Sequence, residues 1–395
     1  DQRKLLTVHI NCSGLFMLRL PKTDPIKLAT LEPILIRAKI DVPVITSFGV
    51  ISERTSLLIR AEDTDGAVGW GEVFGNFPIH GAENRKHIVE DYIATLALSK
   101  TWESPVEAFN TLTTKTHVLA LQSGEPGPFA QSIAGVDIAL WDLAARKAHM
   151  PLLKFLGGKD NSISTYASGL NPTGFENIVE QKMTEGYNAF KIKVGFGREK
   201  DLQSLSKIRK LIGDRRLMID VNQGWDLATA RENWTAYSEH NLHWIEEPIS
   251  ADRPLSEWED LALQPGAPIA AGENLLGDEQ FDNYINSKCF EFLQPDMCKW
   301  GGFSKTLPLA KRSLCHGVTY CPHFLAGPIG LFASAHCLAA AGGDGLLEID
   351  ANFNPIREFL VGGLPIIKSG IMTLPDMPGL GIYPDPEFIK KHAVT

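Results

Sequence analysis

The sequence lacks several features that mark whole classes of protein. Its 395 residues hold no block of like charges, and the formal net charge is −9, so the basic footprint of a nucleic-acid binder is missing. No apolar run approaches the ~18 residues that would read as a membrane span. Six cysteines (Cys12, Cys289, Cys298, Cys315, Cys321 and Cys337) lie far apart without a CxxC pair, a pattern that predicts free thiols in a reducing, cytoplasmic compartment. No sequence repeat suggests a solenoid. The remainder is an ordinary globular composition, 44% hydrophobic and 22% charged. A chain of this length suits one large α/β domain with a smaller second one.

Residues 1–25, "DQRKLLTVHINCSGLFMLRLPKTDP", hold a mildly apolar stretch broken by Asn11, Cys12 and Ser13. They are read as a leader or extension rather than a signal peptide. From Ile26, "ATLEPILIRAKI" and "SLLIRAEDTDGAVGWGEV" alternate with period two around the turn residues "DTDG", and helical patterning follows in "SIAGVDIALWDLAARKAHM". Strands followed by helices predict an α+β domain over 26–148. From 149 to 360 the rhythm becomes strand and amphipathic helix, repeated. Eight strand candidates, from "SISTYAS" to "GLLEID", are closed by polar residues at intervals of 27, 26, 27, 23, 27 and 25 from Lys193 to Glu348. That spacing predicts successive βα units closing into a barrel. The tail, 361–395, is rich in proline and glycine and is expected to pack back on the first domain.

Within "AFKIKV", Lys191 and Lys193 are two apart on one strand and point to the same side, where an unpaired buried charge is costly. Barrel chemistry sits at the C-terminal ends of the strands, so Lys191, Lys193, Asp220, Asn222, Glu246, Glu273, Asp296, His323 and Glu348 are expected to ring one cavity. Asp220, Glu246 and Glu273 close consecutive strands. Three converging carboxylates call for a hard divalent cation, Mg²⁺ or Mn²⁺. Alternation lets one glutamate of "EEP" face inward, and strand register favours Glu246, with Glu247 behind it. Lys191 is then placed to meet a substrate carboxylate and Lys193 to act as a base. His323, oriented by Asp296, would move a proton on the opposite face, and Glu348, if protonated, would donate a hydrogen bond to the substrate. Such a set suits removal of a proton α to a carboxylate, with the resulting enediolate stabilised by metal and cations.

The succession "KIK", "DVNQG", "WIEEP", "GEN", "QPDMCKWGG", "PH" and "LEID" resembles the mandelate racemase subgroup of the enolase superfamily from about Ile26 onward. The resemblance implies a modified (β/α)7β barrel under an N-terminal α+β capping domain and assigns the same roles to the residues above. "KIKVGFG", "LQPDMCKWGGFSK" and "DANFNPIRE" are similar to acid-sugar enzymes, namely galactarolactone cycloisomerases and aldarate or aldonate dehydratases. Dehydration to a 2-keto-3-deoxy acid is the leading expectation. Racemisation or epimerisation and cycloisomerisation share every residue, and a metal-binding barrel without turnover is the distant alternative. Specificity in the family comes from capping loops, where Thr46, Ser47, His80, Asn84 and Arg85 are candidates. Family habit implies a homo-oligomer.

Overall fold

The computed structural model describes residues 20–46, 49–363, 365 and 367–394; Ser47 and most of the expected leader lie outside them. Three antiparallel strands, β1 (Leu28–Thr46), β2 (Gly49–Asp63) and β3 (Val68–Val73), form the first sheet. The turn between β2 and β3 is held by Asp63 Oδ1, which accepts the N–H groups of Asp65 and Ala67. Helix α1 (Gly81–Ile88) runs through a π-helical turn at Val89–Ile93 into α2 (Ala94–Leu98), followed by α3 (Pro105–Ser123) and α4 (Pro126–Lys147). Ser104 caps α3 by accepting Glu107 N–H, one of the helix's orphan donors, while the Glu107 carboxylate reaches back to the N–H of Glu103, the residue before the cap.

Helix α4 is buried along most of its length against β3. The approach is possible because β3 carries Gly69 and Gly71, where a Cβ would stand 2.2 Å from Ala139 O and 2.0 Å from Gly135 O. Alternation along β1 and β2 sends Leu31, Leu35, Leu57 and Ile59 into this domain's own core with Val136, Ala139 and Leu143 of α4. The opposite face of α4, with Ile138 and Trp141, joins the larger core of the second domain.

After the short α5 (Leu152–Phe155) come β4 (Ser162–Leu170), α6 (Glu176–Thr184), β5 (Ala189–Lys193), α7 (Arg198–Ile212), β6 (Arg216–Asp220), α8 (Leu227–Ser238) and β7 (Leu242–Glu246). The alternation continues with α9 (Leu255–Ala262), β8 (Ile269–Ala271), α10 (Asp278–Ser287), β9 (Phe292–Leu293), α11 (Gly302–Cys315), β10 (Thr319–Tyr320), α12 (Pro328–Ala341) and β11 (Leu347–Asp350). The strands run parallel in the order β10-β9-β8-β7-β6-β5-β4, and β11 returns beside β4. Seven of the eight fall within a stretch expected from the sequence, and β4 runs two residues beyond "SISTYAS". Only the single-turn α13 (Pro355–Phe359) follows β11, which gives the modified (β/α)7β barrel.

Inside the barrel, Tyr166, Ala189, Met218, Trp244, Ala270, Phe292, Cys321 and Leu346 form one apolar layer, each supplied by a different strand or its immediate flank. Small and bulky side chains are mixed around the ring, so the interior is filled rather than hollow. After α13 the chain adds β12 (Ile367–Lys368) and β13 (Ile371–Thr373), with β13 antiparallel to β4. It then crosses α4, where Arg146 donates to Ile382 O and Leu380 N–H to Asp142. Helix α14 (Pro386–His392) ends against β1 through Val394 N–H and Leu35 O.

Candidate active site

Two residues beyond the apolar layer, period-two alternation puts a polar layer on the same interior face. Its members are Ser168, Lys191, Asp220, Glu246, Gln294, His323 and Glu348, with Gly272 on the fifth strand. Lys191 Nζ lies 2.6 Å from Glu246 Oε1 and 2.8 Å from Glu348 Oε1. Glu246 also accepts Trp244 Nε1 at 3.0 Å and Gln294 Nε2 at 2.6 Å. Glu348 accepts Ser168 Oγ and the backbone N–H of Phe324. Two carboxylates therefore share one ammonium. Burial opposes ionisation of both; Lys191 and His323 overcome it at Glu348, held down at about 2, while Glu246 is pushed up to about 7. The oxygens of Glu348 accept from Ser168, Phe324 N–H and the shared Lys191.

Lys193, at the end of β5, points to the cavity side, with Nζ 2.9 Å from Asp220 Oδ2 and 2.7 Å from Asn222 Oδ1. Asn222 has a left-handed backbone (φ 47°), which lets its N–H and side-chain amide both bond Asp220. His323 stands between two carboxylates, with Nδ1 2.9 Å from Asp296 Oδ2 and Nε2 2.5 Å from Glu273 Oε2. Burial disfavours the imidazolium, but Glu273, Glu348 and Asp296 together outweigh it and raise the histidine well above its usual range.

Both glutamates of "EEP" are buried, the inward Glu246 and the Glu247 expected behind it. Glu246 and Glu247 are each 2% exposed. Glu247 leaves the strand conformation (φ 41°), so alternation no longer governs it. Its carboxylate accepts Asn274 Nδ2 at 2.9 and 3.0 Å. Burial first, and the nearby Glu273 and Asp220 charges after it, push Glu247 well above the carboxylate range. A similar departure aims Glu273. Gly272 has φ +144°, and a Cβ there would stand 2.8 Å from Gln294 N, so glycine is needed for the chain to turn Glu273 toward His323.

Lys193, Asn222, Glu273 and His323 line a cavity of about 440 Å³ between the barrel mouth and the capping domain. Lys191, Asp220, Glu246, Asp296 and Glu348 are buried beneath or beside it. Of the expected specificity residues, Arg85 on α1 lines the cavity. His80 is 81% exposed and pairs with Glu83, and Asn84 donates to Glu125. Thr46 ends β1 opposite Gly49.

Sequence reading missed Lys299, three residues beyond Asp296. Its Nζ is 3.2 Å from Asn274 Oδ1 and 3.5 Å from Glu273 Oε1, and it sits 4.6 Å over the Phe74 ring of the capping domain. "QPDMCKWGG" contained the residue, but a loop lysine gives no sign of burial. Glu72 of β3 was also missed. Fully buried, it accepts Ser56 Oγ and the N–H groups of Gly327 and Gly330, tying the capping domain to the first turn of α12.

Among the described residues, no three His, Cys, Asp or Glu side chains are gathered as a metal-holding group. Each expected ligand is turned to an internal partner: Asp220 to Lys193, Glu246 to Lys191, and Glu273 to His323 and Lys299. The donor chemistry nevertheless suits a hard cation. Six carboxyl groups, Asp220, Glu246, Glu247, Glu273, Asp296 and Glu348, share the site with four basic ones, Lys191, Lys193, Lys299 and His323; two carboxyls are left without a counter-charge, and Glu246 and Glu247 are raised accordingly. An all-oxygen set with such an excess fits a divalent ion.

Two family descriptions match the chain: "Mandelate racemase / muconate lactonizing enzyme, N-terminal domain" over residues 31–157 and "Enolase C-terminal domain-like" over 175–388. The chain is 29% identical to a D-galactarolactone cycloisomerase of Agrobacterium fabrum over 90% of its length and 96% of the relative's. It is 28% identical to an arabinonate dehydratase of Saccharolobus solfataricus over 84% and 92%. A crystal structure described as mandelate racemase/muconate lactonizing enzyme, from Bordetella bronchiseptica RB50, superposes with a TM-score of 0.88 at 44% identity, covering 93% of this chain and 99% of that one. A Streptomyces coelicolor racemase with bound magnesium gives 0.84 at 25% identity over 93% and 100%. The α+β cap, the seven βα units with a closing strand, and the two family matches together mean that the chain belongs to the mandelate racemase subgroup of the enolase superfamily.

Proposed function

We propose that the protein is a magnesium-dependent hydro-lyase that removes the proton α to the carboxylate of an acid sugar and expels the β-hydroxyl, yielding a 2-keto-3-deoxy acid. The observation that carries this reading is that two separate proton-transfer groups, Lys193 on β5 and His323 beyond β10, wall the same cavity. Lys193, as the free amine, takes the α-proton. His323, protonated at Nε2 and held by Asp296, gives a proton to the departing hydroxyl, so water leaves and the enol relaxes to the ketone. Lys191 lies one layer deeper, where its charge supports a carboxylate seated at the barrel mouth. Asp220, Glu246 and Glu273 would hold the magnesium, with Glu247 beside them. When bound, the ion supplies positive charge against the negative charge the substrate carboxylate gathers as the proton leaves. The magnesium-bound racemase neighbour and the excess of buried carboxylates support the metal.

Isomerisation is the second reading. The same two opposed groups would return a proton to the other face or open a lactone, and the relative named D-galactarolactone cycloisomerase spans 90% of the chain. Proton NMR in D₂O with Mg²⁺, over aldarates, aldonates, aldarolactones and mandelate, separates the two. Loss of the α-proton signal with a 2-keto-3-deoxy product from an open-chain acid supports the dehydratase. Exchange with only an epimer appearing, or a 2-keto-3-deoxy product formed from a lactone alone, would replace it with an isomerase.

A further inference from the structure

Arg85 sits on α1 of the capping domain, 5% exposed, and lines the same cavity as Lys193 and His323. Its Nε donates to Gln131 Oε1 at 2.7 Å and its Nη1 to Gly81 O at 2.8 Å. Both acceptors are neutral. Among the described residues no carboxylate comes within ion-pairing distance of this guanidinium; Glu125, whose charge acts on it from farther off, is engaged by Asn84. The seat is shaped for it, since a Cβ on Gly81 would stand 2.6 Å from Nη1. Every lysine of the barrel mouth, by contrast, faces a carboxylate.

A buried cation without a counter-charge, at the wall of a ligand cavity, is incomplete until an anion arrives. The reacting carboxylate belongs at the barrel mouth beside the lysines, whereas Arg85 comes from the other domain. The other capping-domain residues that line the cavity, among them Phe74, Asn76, Phe77 and Gln131, are uncharged, so Arg85 brings the charge on that side. Gln131 holds the planar guanidinium from one edge, which leaves it suited to a second planar anion.

We propose that Arg85 binds a second carboxylate of the substrate, so that the site takes open-chain diacids, the aldarates, in preference to aldonates that end in a hydroxymethyl group. This rests on the acid-sugar reading above and narrows it.

The test uses the full-length protein with Mg²⁺ and substrate pairs that differ only at the far end, galactarate against galactonate and glucarate against gluconate. The diacid should be favoured in kcat/KM by about 10²-fold or more, the scale of a buried charge pair. Arg85→Gln should bring each pair close to parity, mainly through KM, and Arg85→Lys should recover part of the preference. Calorimetry with an inert pair, glutarate against valerate, reads the same site without turnover: glutarate should bind more tightly to the wild type, and Arg85→Gln should erase the difference. Equal turnover of diacids and monoacids, with equal binding of glutarate and valerate, would overturn the proposal while leaving the acid-sugar function intact. A glutarate preference that depends on Arg85, with no acid sugar consumed, would sustain the second-anion site and sink the acid-sugar reading instead.

Discussion

Asp296 Oδ2 lies 2.9 Å from Nδ1 of His323, while its Oδ1 takes the N–H groups of Cys298 and Lys299. The carboxylate is clamped by its own loop and can only accept, so Nδ1 carries a proton and Nε2 is the nitrogen that exchanges one with the cavity. Asp296→Asn can instead present an amide N–H to Nδ1 and reverse the tautomer. Turnover should fall about 10³–10⁴-fold, with thermal unfolding and Mg²⁺ affinity little changed. Undiminished activity in this variant would dissolve the pairing as a functional unit.

Lys193 has the complementary role. Its Nζ is held by Asp220 and Asn222, so Lys193→Ala removes the proposed base without emptying the deeper layer around Lys191. Solvent exchange of the α-proton should drop about 10²–10⁴-fold from one face and persist from the face served by His323. Epimeric substrates followed by NMR in D₂O distinguish the faces, and equal retention on both would exclude Lys193 as the base.

Magnesium should stabilise the fold, because it relieves the buried excess of carboxylates. At a hundredfold excess over its dissociation constant the gain is about 2.7 kcal/mol, visible as a rise in Tm that EDTA reverses. Asp220→Asn, Glu246→Gln and Glu273→Gln should each weaken the shift. Glu247→Gln is the informative control: if it abolishes the shift while Glu246→Gln does not, the second glutamate of "EEP" is the ligand.

A pH effect is expected away from the chemistry. Asp137 of α4 is fully enclosed and accepts Ser304 Oγ and Ser304 N–H, and burial pushes it up to about 7. A carboxyl raised above its unfolded value binds its proton more tightly in the folded state. Its contribution is therefore complete below about pH 4 and is lost as pH rises to about 7, by up to about 4 kcal/mol. His336 and His243, both pushed down to about 4 by burial, act in the opposite sense, removing stability as pH falls below about 6.5. The Asp137→Asn variant isolates the first effect. Its unfolding free energy relative to wild type, from urea melts, should rise between pH 4 and 7 and then level off; a pH-independent difference would show that Asp137 does not titrate in this window.

Much of the site was legible because it obeys period two. Lys191, Asp220, Glu246, His323 and Glu348 share the phase of the apolar ring at Ala189, Met218, Trp244, Cys321 and Leu346, so a strand pattern alone places them in one layer. Glu247 and Glu273 are out of that phase. They enter the site through a left-handed backbone at Glu247 and through Gly272, conformations that alternation cannot express. Lys299 and Glu72 gave no signal either, because a polar residue becomes a buried one only when a partner domain covers it.

The sequence by itself determined the barrel and pointed to Lys191, Asp220, Glu246, His323 and Glu348 of its polar layer, though not to Ser168 or Gln294, since strand spacing and alternation are local properties carried by each βα unit. Only the tertiary structure decided which of those groups meets the cavity and which lies beneath it. It also decided that Arg85, one of five candidates from the capping domain, lines the cavity. The reason is physical: burial and charge pairing depend on how the capping domain seats over the barrel mouth, and that contact joins residues hundreds of positions apart, as Glu72 and Gly330 show.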